Sequence, residues 1–96
     1  MRSYELAIVF DPSLEEEEIE KELSKSTSLI EKEKCKVSRI DRWGTRKLAY
    51  PIKGQENGYY VIVYFEGNSK IVTEINRINK INDKILRHMV VKSDQS

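Results

Sequence analysis

Residues 43–65 read WGTRKLAYPIKGQENGYYVIVYF, an interrupted extended segment followed by a glycine-bounded turn and seven consecutive apolar or aromatic residues, Tyr59 to Phe65. An unbroken run of that kind, rich in β-branched and aromatic side chains, fits a central strand paired on both sides. The segment before it is different. Pro51 has no N–H to donate to a ladder, which confines its strand to a sheet edge. Gly54-Gln55-Glu56-Asn57-Gly58 reads as the loop that turns the chain back between the two. One edge strand and one central strand, joined as a hairpin, are the expectation.

Upstream, the edge strand begins after Cys35, where Val37 and Ile40 break the two-residue alternation by one and so predict a bulge. Gly44 adds a bend, and Leu48 to Ile52 resumes the extended pattern. Before this lies a helix expected over about Ser13 to Lys34. Ser13 is its candidate cap, Glu16 the partner in a capping box, and Glu15 to Glu18 suit the positive end of the dipole. Ile19, Leu23, Thr27 and Ile30 form one narrow apolar stripe. Tyr4 to Phe10 is a first strand in which Tyr4, Leu6, Ile8 and Phe10 alternate with Glu5, Ala7 and Val9. If the first set faces the helices, the second is left on the open side.

Downstream, Gly67-Asn68-Ser69 ends the central strand and offers a cap. A second helix over about Ser69 to Ile81 places Ile71, Ile75 and Ile78 on one face. Ile85 to Lys92 forms a last strand, imperfectly alternating and carrying Arg87 and Lys92 as an edge strand does. The order β-α-β-β-α-β is the split βαβ arrangement of ferredoxin-like α+β domains, with a four-stranded antiparallel sheet and two helices on one face. In that arrangement the first and third strands are central, in agreement with the apolar runs and with Pro51.

A chain of 96 residues fits one such domain, leaving 93–96 as a short tail. Cys35 is the only cysteine, so neither an internal disulfide nor a Cys-x-x-Cys site can form, and a reducing, cytoplasmic setting is the default. The first strand is too short to span a membrane, and no signal-peptide pattern precedes it. Net charge is +1 but uneven: residues 1–34 hold 5 Lys/Arg against 10 Asp/Glu, and residues 35–96 hold 12 against 6. This polarity predicts an acidic solvated helix and a basic face elsewhere.

Gly44-x-Arg46-x-Leu48-Ala49-Tyr50-Pro51-Ile52-Lys53, preceded by Trp43, resembles the signature of the bacterial small-subunit ribosomal protein S-six family. Met1-Arg2-x-Tyr4-Glu5 and Ile85-Leu86-Arg87-His88-Met89-Val90-Val91-Lys92 match it in order and spacing. The resemblance spans nearly the whole chain. It implies the same ferredoxin-like fold and a non-catalytic, ribosome-associated component that binds the central domain of small-subunit ribosomal RNA together with protein S-eighteen. It also implies that Arg2, Arg46, Lys47 and Arg87 are RNA or partner contacts. The chain departs from the family pattern at Glu33-Lys34-Cys35, which lacks the glycine often found at that junction, and it lacks the long acidic tail of some members.

Arg42, Lys53 and Lys92 complete the expected RNA-binding set on charge and position. Arg39, Arg42, Arg46 and Lys47 also have a plainer reading, as charges that keep an edge strand soluble and unpaired. Trp43, Tyr60, Ile62 and Tyr64 are the candidate surface for a protein partner, with packing or base stacking as alternatives for the aromatics. The third-strand tyrosines invite comparison with RNA-recognition motifs, but the matching first-strand aromatic and the basic-Gly-aromatic pattern are missing. His88 has no positioned companion for general-base chemistry, Cys35 has no histidine partner, and the glutamates of the first helix spread around it instead of converging on a metal. No cofactor, metal or catalytic residue is expected. The alternative on this fold is a small-molecule-sensing regulatory domain.

Overall fold

The computed structural model describes residues 2–93; Met1 of the N-terminal motif and 94–96 of the expected tail lie outside the described residues. The elements run β1 (Arg2–Phe10), α1 (Glu16–Lys32), β2 (Lys36–Ile52), β3 (Gln55–Gly67), α2 (Ser69–Lys80) and β4 (Ile85–Lys92). They form a four-stranded antiparallel sheet in the order β2-β3-β1-β4. Both helices pack on one face, so the architecture is ferredoxin-like. Among the described residues no helix is long and apolar enough to cross a membrane.

Alternation decides which side chains meet the helices. Tyr4, Leu6, Ile8 and Phe10 of β1 stand opposite Phe65, Val63, Val61 and Tyr59 of β3. With Ile19, Leu23 and Ile30 of α1 and Ile71 and Ile75 of α2, they make the main core. The opposite parity, Val9 with Tyr60, Ala7 with Ile62 and Glu5 with Tyr64, lies on the face without helices. The expected slip in β2 is present: the register shifts between Val37 and Arg39, which returns Ile40 to the helix side opposite Val63. A second shift falls between Arg42 and Gly44.

Three local expectations change. Helix α1 starts at Glu16 with Glu15 at the cap, because Asp11 Oδ1 already accepts from the Ser13 amide at 2.9 Å and its hydroxyl at 2.8 Å. The Glu18 carboxylate accepts from the Glu15 amide at 3.1 Å, so the capping-box pair is Glu15 and Glu18 in place of Ser13 and Glu16. The hairpin turn is also tighter than the loop expected over 54–58. Ile52 pairs directly with Gln55, and Lys53 and Gly54 both take positive φ, 49° and 80°, as a two-residue type I′ turn requires.

The third change is at the end of α1. Lys34 sits at φ 62°, its amide bonds Glu31 O at 3.1 Å, and the Cys35 amide bonds Ile30 O at 3.2 Å. This is a Schellman closure with lysine in the left-handed position that glycine normally fills. The missing glycine noted in the sequence is thus a strained site in the fold.

Candidate nucleic-acid and partner interface

Glycine at 58 has a use other than turning the chain. A Cβ there would lie 2.3 Å from Val9 Cγ1 and 3.3 Å from Leu48 Cδ2. Its absence lets the outer part of the β2–β3 hairpin settle onto the open face of the sheet. Val9, Leu48 and Leu86 are buried together there, with Ile52 and Tyr60 packed against them. Leu48 and Ile52 do join a core, as their apolar character suggests, but it is a second one on the side away from the helices.

This fold-over joins strands that the sheet order keeps apart. β2 and β4 are the two edges, yet Arg87 Nη1 donates to the Tyr50 hydroxyl at 3.1 Å and Lys53 Nζ to Ile85 O at 3.5 Å. Arg46 and Lys47 pair in register with Gly58 and Asn57 in the same hairpin, and Val9, under Gly58, pairs with Arg87. One end of the molecule therefore collects Arg46, Lys47, Lys53 and Arg87. Arg46, Lys47 and Arg87 are exposed, and none of the three has a carboxylate partner among the described residues.

The other expected RNA contacts are elsewhere. Arg2 pairs with Gly67 and Lys92 with Tyr4, at the opposite end of β1 and roughly 25 Å away along the strand. They flank a groove of about 480 Å³ beside the start of α2, where Asn68 Oδ1 accepts from the Ile71 amide at 3.0 Å. Arg42 is on the helix side and makes two bonds to Glu20 of α1, 2.7 and 2.8 Å. The hydrogen bond and the guanidinium charge hold the Glu20 carboxyl below its usual range in spite of partial burial, and Arg42 is correspondingly raised. Arg42 thus ties β2 to α1.

Between the two ends, the open face carries the candidate partner surface. Trp43, 46% exposed, stacks on Tyr60 with ring centroids 6.3 Å apart and planes at 21°. The Arg39 guanidinium lies 4.3 Å from the centre of the Tyr64 ring. Ile62 stands between the two tyrosines, and the apolar strip continues across Ala7 to Met89 and Val91 of β4, which are 49% and 43% exposed. Met89 and Val91 were missing from the sequence-based set. Their signal was parity: they occupy alternate positions of β4 and pair with Ala7 and Glu5, residues already placed on the open side.

His88 points the other way, with Nε2 3.0 Å from Asn76 Oδ1 of α2; burial lowers its pKa below 6.5, which favours the neutral ring. Cys35 is buried near the Glu33 carbonyl. Among the described residues neither is joined to groups that would form a nucleophile or an acid–base pair.

A basic end joined to an apolar strip, on a sheet whose other face is closed by helices, has the form of a binding platform. The sequence model of the family described as Ribosomal protein S6 matches residues 3–92. The chain belongs to the ribosomal protein S6 family. The protein named small ribosomal subunit protein bS6 of Corynebacterium kroppenstedtii is 42% identical over 94 residues, covering 98% of this chain and 99% of that one. Its namesake from Clostridium novyi is 40% identical over 95 residues, covering 99% and 100%. The crystal structure of 30S ribosomal protein S6 from Thermotoga maritima superposes with a TM-score of 0.90 at 29% identity, covering 96% of this chain and 87% of that one. The family is structural and not enzymatic, as the lack of a catalytic grouping in the sequence led one to expect.

Proposed function

We propose that the chain is a component of the small ribosomal subunit that binds the central domain of small-subunit ribosomal RNA cooperatively with protein S-eighteen. In this reading the end formed by Arg46, Lys47, Lys53 and Arg87 meets phosphates, while the strip from Trp43 through Tyr60, Ile62 and Tyr64 receives the partner. The convergence of basic groups from both edge strands at one end of an apolar sheet face supports it most strongly. Family membership places the protein on the ribosome and sets the small-molecule-sensing alternative aside.

Magnitudes explain why a partner is needed. Four phosphate contacts would give log affinity a slope of roughly −3 to −4 against log salt, so RNA binding by this chain alone is weak at physiological ionic strength. A net charge of +1 adds little long-range attraction. A second protein that contributes its own cationic groups and covers the apolar strip raises RNA affinity, and RNA raises partner affinity by the same factor. Titrating a central-domain RNA fragment with this protein alone and with S-eighteen present tests the reading. Tighter binding with the partner is expected, and equal affinity in the two titrations rules cooperation out.

A further inference from the structure

The contact between Tyr50 and Arg87 bridges 37 positions of sequence and the two edges of the sheet. It depends on three features at once. Leu48 and Ile52, two residues to either side of Tyr50, are anchored in the open-face cluster. Gly58 has no Cβ to hold the hairpin off Val9. Lys53 reaches the Ile85 carbonyl at the start of β4. Tyr50 thereby arrives beside Arg87 while 59% exposed, so its ring adds little to the core and its hydroxyl is the part engaged with the protein.

An exposed arginine on an edge strand samples many rotamers, and holding it in one orientation before binding removes that cost from association. A guanidinium has five N–H donors, and the bond to the hydroxyl takes one of them. The rest remain for a phosphate, for which the planar fork is well suited.

We infer that Tyr50 is a positioning residue for RNA binding: carried across the open face by the hairpin, its hydroxyl orients the Arg87 guanidinium so that the cationic groups of β2 and β4 act as one phosphate-binding cluster. The inference rests on the RNA-binding reading above and goes beyond it by assigning a role to an uncharged residue and by making the site depend on how the hairpin docks.

The test is a double-mutant cycle on affinity for a central-domain fragment of small-subunit ribosomal RNA, with S-eighteen present, at several salt concentrations. Arg87→Ala should bind about tenfold more weakly and reduce the salt slope by about one. Tyr50→Phe, which keeps the ring, should bind about threefold more weakly with an unchanged melting temperature and salt slope. In the Arg87→Ala background, Tyr50→Phe should cost nothing further. The inference is overturned if Tyr50→Phe binds like the unmodified protein, if its loss persists in the Arg87→Ala background, or if Arg87→Ala itself has no effect. The broader reading fails separately, when Arg46→Ala and Lys47→Ala as well as Arg87→Ala leave RNA affinity intact.

Discussion

The two faces of the sheet use similar residues for different ends. On the helix side Leu6, Ile8, Phe10, Val61 and Val63 are fully buried, whereas on the open side Trp43, Met89 and Val91 stay close to half exposed. Only where the hairpin folds over do Val9, Leu48 and Leu86 form a buried cluster on that side. The difference separates an apolar surface spent on folding from one left exposed, which the proposed function gives to a partner, and hydrophobicity alone does not distinguish them.

Leu6→Ala should cost about 3 kcal/mol of stability through lost burial and the cavity left behind, whereas Met89→Ala on the open face should stay within about 0.5 kcal/mol. Denaturant titration of both variants checks the contrast, and equal losses would break it. Gly58→Ala comes next, at about 2 kcal/mol, because the new methyl group must displace Val9 or Leu48. Its amide exchange should quicken at the hairpin tip more than in β1, separating local undocking of the open-face cluster from damage to the main core.

Two smaller effects concern the helix layer. Lys34→Gly should raise stability by about 1 kcal/mol by relieving the left-handed residue after α1. The Glu22 carboxylate is nearly buried between the helices, and desolvation opposes its charge. Hydrogen bonds from Asn82 at 2.8 Å and Lys25 at 3.0 Å, with the charges of Lys25 and Lys84, nevertheless hold its pKa below 4.5. Its stabilising contribution is therefore full above that value and lost as pH falls through the lower folded pKa. Glu22→Gln should cost about 1 kcal/mol at neutral pH and flatten the acid limb of the stability curve. An unaltered acid limb would show that this carboxylate does not tie α1 to the connection between α2 and β4.

Short-range patterns carried most of the fold. The parity break between Val37 and Ile40 locates a real bulge, Pro51 marks a real edge, and the alternation of β1 separates the two faces. Failures arose where one residue type serves two purposes. Gly54 and Gly58 looked like two ends of a loop, but Gly54 makes the turn with a lysine and Gly58 makes room for Val9. Ser13 looked like a cap because nothing local revealed that Asp11 would occupy it.

The candidate site was legible as residue types and only partly as an arrangement. Arg46, Lys47 and Arg87 stood out through the family resemblance and Lys53 through charge and position, but their convergence needed the Tyr50–Arg87 and Lys53–Ile85 contacts between distant segments. Charge and position also brought in Arg42, whose bidentate partner Glu20 lies 22 positions away, and Lys92, which with the resemblance-based Arg2 lies at the far end of β1 from that cluster. Periodicity says which face a side chain takes. It does not say what covers that face.

The separation of faces is tested most directly by mapping amide chemical-shift changes when S-eighteen is added to the isotope-labelled protein. Changes should concentrate at Trp43, Tyr60, Ile62, Tyr64, Met89 and Val91, with the exposed positions of α1 and α2 unaffected. Changes centred on the helices, with the open face silent, would contradict it.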